Sequence, residues 1–114
     1  MFRHVALFRW KEGTSEAAVD GVEASLATLP ARIPQLRAYR TQRDAGLVDG
    51  NWDFGVVADF DDVEGWRIYT ADAEHQRIIA EQIRPIVAER AAVQLEREAA
   101  RPPTSPRPAS PGSG

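Results

Sequence analysis

The clearest strand pattern in the sequence lies at its amino end, in Phe2-Arg-His-Val-Ala-Leu-Phe-Arg-Trp10. Alternate side chains of a strand face opposite sides of its sheet. One side of this segment carries His4, Ala6, Phe8 and Trp10, and the other carries Val5 and Leu7 between arginines. Apolar residues on both sides are typical of a strand that is covered on both faces. The segment therefore predicts a sheet that needs a covering layer on each side.

A helix and a second strand are predicted to follow. Thr14 or Ser15 can cap the helix, and Pro30 and Pro34 are expected to end it. Its apolar residues recur every three or four positions, as the buried side of a helix requires. These residues are Val19, Val22, Leu26 and Leu29. The second strand is predicted at 36–43, with a loop around 46–50.

The remaining elements complete a recognisable order. A third strand is predicted at 52–60 and a fourth at 91–96. Between them, Asp61 or Asp62 is expected to cap a helix, with Glu64 in a capping box, and Asp72 to cap a second helix that Pro85 ends. The order β-α-β-β-α-β predicts a ferredoxin-like α+β fold.

This order predicts a homodimer that forms through the sheet. Right-handed crossovers place both helical layers on the same sheet face. The opposite face would then expose the apolar residues of the first and third strands to water. Pairing that face with its copy in a second subunit covers both, so we expect a dimeric α+β barrel.

Composition bounds the rest of the chain. The 114 residues carry a net charge of −3 with acidic and basic residues interspersed, so no nucleic-acid partner is expected. There is no cysteine, which excludes disulfides and thiolate metal sites. No apolar run is long enough for a membrane span, and we predict a cytoplasmic protein without a metal or cofactor. Residues 1–97 are predicted to form one domain, and 98–114, rich in Pro, Ser and Gly, a disordered tail.

The candidate site is the pair Tyr69 and His75, six residues apart across a predicted helix break. Histidine titrates near neutral pH, so it can serve as acid or base without large tuning. A second histidine, His4, opens the first strand. We predict that each subunit has a cavity bordered by His4, Phe54, Tyr69, His75 and Ile78. Two structural alternatives stay open: His75 could bond a backbone carbonyl at a helix start, and Tyr69 could be a core aromatic.

An ordered series of short segments resembles the stress-responsive A/B barrel (Dabb) domain family over roughly residues 2–96. The segments are His4-Val-Ala-Leu-Phe-Arg-Trp-Lys-Glu-Gly13, Ile33-Pro34, Asn51-Trp-Asp-Phe, Phe60-Asp-Asp and Ala73-Glu-His75. The resemblance implies a dimeric α+β barrel, and its olivetolic acid cyclase type works without a metal or cofactor. In the olivetolic acid cyclase type of barrel, Tyr69 and His75 match a catalytic tyrosine and histidine. His4 matches a pocket histidine, and Phe54 stands where that type has a second one.

Three function classes follow from this reading. The first is acid/base chemistry of the aldol or cyclisation kind on a polyketide-like or aromatic substrate. The second is a non-catalytic, stress-responsive dimer that binds a small apolar or aromatic ligand, and the third is a purely structural dimer. Asn51-Trp52 also suggests a cofactor-free monooxygenase, although a strand-entry turn explains these two residues as well.

Overall fold

The chain forms four strands, with helices between the first and second and between the third and fourth. The computed structural model describes residues 1–97, and the predicted tail 98–114 lies outside the described residues. The elements are β1 (Phe2–Trp10), α1 (Glu16–Leu26), α2 (Leu29–Arg32), β2 (Ala38–Arg43), β3 (Phe54–Phe60), α3 (Val63–Ala71), α4 (Ala73–Ile78), a π-helical turn (Ile79–Ile83) and β4 (Val87–Glu96). Within residues 1–97, no helix combines the length and hydrophobicity that crossing a bilayer requires.

The four strands form one antiparallel sheet in the order β2-β3-β1-β4. β1 lies in the centre, where His4 is opposite Ala58 of β3 and Gln94 of β4. With its helices between β1 and β2 and between β3 and β4, this sheet has the ferredoxin-like topology. The predicted fold class is confirmed.

The core lies between the helices and the inner face of the sheet. Helix α1 supplies Val19, Val22 and Leu26 to it, at the spacing seen in the sequence. From the sheet, the buried apolar residues are Phe2, Ala6, Phe8, Phe54, Val56, Ala58 and Phe60. His4 is buried in the same row of β1, which places an imidazole among apolar side chains.

Several predicted boundaries are corrected. Pro30 does not end a helix but lies in the first turn of α2, where a missing N–H costs no hydrogen bond. Strands β2 and β3 each begin two residues later than predicted, at Ala38 and Phe54. Strand β4 begins four residues earlier than predicted, at Val87. Glu89 and Arg90 are charged and exposed on this edge strand, and they hide the strand pattern.

The caps of α3 differ in part from the prediction. Asp62 is the N-cap, and its Oδ1 accepts from the Gly65 N–H at 3.1 Å. Asp61 pairs with Arg37 instead, and Glu64 pairs with Arg67. The predicted capping box is therefore absent, although one of the two proposed aspartates caps the helix.

The outer face of the sheet carries an exposed apolar strip. Leu7 of β1 is 37% exposed, and Val93 and Leu95 of β4 are 47% and 50% exposed. Val93 lies opposite Val5, so the strip continues across both strands. The two-sided pattern predicted for β1 is present in the structure.

Gly65 sets how closely α3 approaches the sheet. A Cβ added there would lie 3.2 Å from two atoms of Phe60 and 3.3 Å from Cβ of Gln35. Phe60 is fully buried, so it has little room to move away. The missing side chain at Gly65 therefore holds the helix that carries Tyr69 close to β3.

We expect Gly65→Ala to destabilise the protein by about 1–2 kcal/mol, because overpacking outweighs the helix propensity of alanine. Gly21 in α1 provides the matched control, since its added Cβ would meet only Gln82 at 3.8 Å. Gly21→Ala is expected to stabilise by roughly 0.5–1 kcal/mol. Urea unfolding measures both changes, and equal shifts in the two variants would contradict the close approach.

Candidate functional site

A helix break at Asp72 brings Tyr69 and His75 together. Asp72 ends α3 in an extended conformation and is the N-cap of α4. Its Oδ2 accepts from the backbone N–H of His75 at 2.9 Å, and its Oδ1 accepts from Arg32 Nη2 at 3.1 Å. The chain turns at this residue, and the His75 ring stacks on the Tyr69 ring with 4.0 Å between centroids. The cap predicted at Asp72 is present.

The hydrogen bond of His75 fixes which ring nitrogen carries the proton. Nδ1 lies 2.9 Å from the backbone oxygen of Tyr69. A carbonyl oxygen can only accept, so Nδ1–H is the donor. Burial lowers the pKa of His75 below its usual value, which keeps the ring neutral at neutral pH. The neutral ring then has its free lone pair on Nε2, the arrangement that a general base needs.

His4 has the opposite arrangement. Its Nδ1 lies 2.9 Å from the amide Nε2 of Gln94 on β4. An amide nitrogen donates, so Nδ1 accepts and neutral His4 carries its proton on Nε2. Burial, with smaller contributions from Arg90 and His75, lowers the pKa of His4 to about 4. The two histidines thus offer one acceptor and one donor to the same region.

The Tyr69 hydroxyl has a partner in β2. Its oxygen lies 3.1 Å from the hydroxyl oxygen of Tyr39. Burial raises the pKa of both phenols, so both stay protonated at neutral pH. A hydroxyl can donate once and accept twice, so Tyr69 can accept from Tyr39 and still donate elsewhere.

His4, Tyr69 and His75 border a cavity of about 510 Å³ between the helices and the inner sheet face. The cavity has aromatic and aliphatic walls with a few polar groups, as small-molecule sites commonly have. Its lining residues are His4, Ala6, Phe8, Leu26, Val56, Trp66, Tyr69, Thr70, His75, Gln76, Ile79, Ile83, Arg84, Val87, Arg90 and Gln94. The π-helical turn contributes Ile79 and Ile83 to this wall. Such turns occur frequently at functional sites.

The structure brings together three of the five residues predicted to border the cavity: His4, Tyr69 and His75. Phe54 and Ile78 do not line it, which corrects that part of the prediction. Phe54 is buried further along the sheet against Phe8 and Trp10. Ile78 is fully buried in the core. Helical spacing indicated that Ile78 is buried but not which neighbours surround it.

Three polar neighbours of the site escaped the sequence reasoning: Tyr39, Arg90 and Gln94. Arg90 and Gln94 share the inner face of β4, opposite Phe8 and His4 of β1. The two-residue alternation along β4 is the sequence pattern that places Arg90 and Gln94 on one face, but Arg90 precedes the predicted start of that strand. Tyr39 was placed on its strand correctly, although no sequence pattern joins it to Tyr69.

Other candidate groups serve local structure. The Asn51 amide donates to Asp44, and Trp52 packs under the Arg9 guanidinium at 4.5 Å. Within residues 1–97, no group of three His, Asp or Glu side chains is placed to hold a metal ion.

Comparison with known proteins identifies the fold family of the chain. The stress responsive A/B barrel domain matches residues 2–96 of the chain. The chain belongs to this family. A Dabb family protein from Mesorhizobium loti with a ferredoxin-like fold is 15% identical, with a TM-score of 0.70 over 86% of this chain and 97% of that one.

Two other solved structures share the fold. A dimeric ferredoxin-like protein of unknown function from Thermobifida fusca is 44% identical, with a TM-score of 0.77 over 82% of this chain and 88% of that one. A hydroxynitrile lyase from Passiflora edulis shares the fold at 15% identity, with a TM-score of 0.73 over 89% and 96% of the two chains. No curated protein shows significant sequence similarity to the chain.

Acid is expected to destabilise this Dabb protein through its buried histidines. The pKa of His4 is about 4 in the fold, against 6.5 for an exposed histidine. Between these values the unfolded chain binds more protons, so stability falls as the pH is lowered. His75, whose pKa is also lowered, adds to the same trend. Melting temperatures measured from pH 7 to 4.5 report this loss of stability. The melting temperature of His4→Gln should fall less steeply with pH than that of the wild type. Equal slopes in both proteins would contradict the role given to His4.

Proposed function

We propose that this Dabb protein is a homodimer in which each subunit binds a small organic molecule and moves a proton at a carbon next to a carbonyl. The reaction would be cofactor-independent, of the aldol or cyclisation kind, on a polyketide-like or aromatic compound. The observation that carries this proposal is the 2.9 Å hydrogen bond from His75 Nδ1 to the Tyr69 carbonyl. It leaves Nε2 of a cavity-lining, neutral histidine free to accept a proton.

In the proposed step, His75 Nε2 removes the carbon-bound proton and the ring becomes an imidazolium. The Tyr69 carbonyl still accepts from Nδ1–H in this state, and the nearby charge of Asp72 favours it. The electron pair left on carbon moves to the carbonyl oxygen, which becomes an oxyanion. The resulting enolate is the nucleophile that closes a carbon–carbon bond in an aldol reaction.

Tyr69 is proposed to stabilise the oxyanion. Tyr39 would donate to the Tyr69 oxygen, so that the Tyr69 O–H is free to donate to the substrate. A donor aimed at developing charge contributes on the order of 10²–10³-fold in rate. The raised pKa of Tyr69 suits a hydroxyl that donates without losing its proton.

The hydroxynitrile lyase of the same fold supports the proposal in one respect. Its name shows that this architecture can house a lyase. The alternative is a dimer that binds a ligand without turnover. The Tyr39–Tyr69 contact favours it in the opposite orientation, in which Tyr69 donates its one O–H to Tyr39 and none is left for the substrate. The cytoplasmic location stays a prediction from composition.

Proton abstraction can be tested before the natural substrate is known. Deuterium uptake from D₂O at the carbon between the two carbonyls of an aryl β-keto ester, corrected for the uncatalysed rate, reports the step directly. We expect wild-type protein to accelerate this exchange, and His75→Gln to lower the acceleration by about 10²-fold or more. Tyr69→Phe should lower it by at least about tenfold.

Two controls separate chemistry from folding. Tyr39→Phe removes only the outer hydroxyl of the phenol pair, so its rate loss should be smaller than that of Tyr69→Phe. Melting temperatures of all variants show whether the fold is kept. If wild type exchanges and folded His75→Gln exchanges equally fast, His75 is not the base. If wild type binds the ester without exchange, the ligand-binding alternative is correct.

The homodimer is proposed to form through the outer sheet face. Leu7, Val93 and Leu95 leave an apolar strip exposed in the single chain. A two-fold axis over the centre of the sheet would cover this strip with its copy. The 44% identical Thermobifida fusca protein is described as dimeric, which supports the same assembly here.

Leu7→Glu is expected to convert the dimer to monomer, because the carboxylate would be buried without a partner. Ile68→Glu is the matched control, since Ile68 is 46% exposed on α3, in the helical layer on the other side of the sheet. Light scattering after size exclusion at micromolar concentration measures both masses. A monomeric wild type, or a dimeric Leu7→Glu variant, would rule out this interface.

A further inference from the structure

The charged residues that line the cavity are all basic. Among residues 1–97, its wall contains Arg84 and Arg90 but no aspartate or glutamate. The whole chain carries a net charge of −3, so this local excess runs against the average. A cleft with charge of one sign and apolar walls concentrates ligands of the opposite sign.

Both arginines lack a carboxylate partner within the described residues. Arg3, Arg32 and Arg43, by contrast, each form an ion pair with a nearby aspartate. Neither Arg84 nor Arg90 makes such a pair, or a side-chain hydrogen bond, in residues 1–97. Their positive charges are therefore not neutralised at close range.

The charge of Arg90 reaches the centre of the site. It contributes to lowering the pKa of His4 and of His75, and it opposes the rise in the pKa of Tyr69. All three groups line the cavity. The same guanidinium that disfavours a positive charge on these histidines would attract a negatively charged group bound among them.

The wall also holds a donor without an acceptor. The Trp66 indole Nε1 is shielded from solvent and has no hydrogen-bond partner within the described residues. Leaving such a buried donor unsatisfied is unfavourable, because it has lost its hydrogen bond to water and gained none in the protein. Trp66 and His4 both line the cavity with their rings 6.3 Å apart, and His4 carries its free N–H on Nε2. A ligand with several acceptor oxygens would satisfy this part of the wall.

We propose that the ligand of this cavity is an organic anion, with an aromatic or acyl body and a carboxylate group. Arg90 and Arg84 neutralise the carboxylate at the cavity edge, and the apolar body contacts the Phe8 and Ile79 side of the wall. The inference rests on the proposed function only in taking the cavity to be a ligand site, since it needs no turnover. It narrows the substrate class from aromatic or polyketide-like compounds to acids of that kind.

A pair of fluorescent probes with one aromatic body tests the charge preference. Anilinonaphthalene sulfonate carries a sulfonate, and N-phenylnaphthylamine is the same molecule without it. We expect wild type to bind the sulfonate probe more tightly than the neutral probe. Added salt should weaken the binding of the sulfonate probe only. Val87→Trp adds volume at the edge of the cavity, so it should weaken the binding of both probes. Such a loss shows that both probes bind in this cavity.

Arginine variants identify the source of the preference. Arg90→Gln is expected to weaken sulfonate binding about fivefold and to leave the neutral probe within about twofold. Arg84→Gln combined with Arg90→Gln should weaken sulfonate binding about tenfold or more. Arg67→Gln is the control, because it removes the same charge from an exposed position on α3 that is outside the cavity wall.

The outcomes separate this inference from the proposed function. Equal losses for the two probes, or equal effects of Arg90→Gln and Arg67→Gln, overturn the anion preference and leave the proton-transfer proposal intact. A charge-dependent site in a protein that never accelerates deuterium exchange supports the anion site and removes the catalytic role. If neither probe binds wild type up to millimolar concentration, the cavity is not a ligand site and both proposals fail.

Discussion

The carboxylate of Asp72 holds together the part of the molecule on which its chemistry depends. One oxygen caps α4 through the His75 N–H, and the other is tied to Arg32 of α2. This corner ends α3 at Ala71, and the Tyr69 carbonyl in the last turn accepts a 3.3 Å hydrogen bond from the Asp72 N–H. A carbonyl oxygen has two lone pairs, so it can also accept from the His75 ring. Without the break, a continuous helix would use that carbonyl for its own backbone ladder. The helix end thus supplies the group that fixes the histidine tautomer.

The distance between helix and sheet is the second condition for the site. Gly65 lets α3 approach Phe60, and the same helix presents Trp66 and Tyr69 to the cavity. Across the cavity, β1 and β4 present His4 and its partner Gln94. Each histidine therefore has its hydrogen-bond partner in a different layer. The partner in the helices leaves Nε2 of His75 as an acceptor, and the partner in the sheet leaves Nε2–H of His4 as a donor.

The sequence was sufficient for the fold and for half of the site. Strand β1 was predicted to the residue, because its alternation is uninterrupted, and Asp72 was recognised from its position before a helical pattern. The edge strand β4 was truncated since its solvent-exposed residues resemble a loop, and Arg90 was missed with them. The Tyr39–Tyr69 contact joins residues 30 positions apart in the sequence, and only the sheet register and the helix position together create it. Local patterns carry no information on such pairings.

The π-helical turn at Ile79–Ile83 has a consequence for how sites of this kind diverge. A π turn holds one more residue than the α-helical turn it replaces. Removing a single residue there would restore α-helical spacing and rotate everything after it by about 100° around the helix axis. Ile83 and Arg84 would then leave the cavity wall, while Tyr69 and His75 upstream would keep their places. The insertion or deletion of one residue could therefore change several cavity-lining residues at once and leave Tyr69 and His75 in place. A single substitution changes only one lining residue, so it cannot alter the ligand preference in this way.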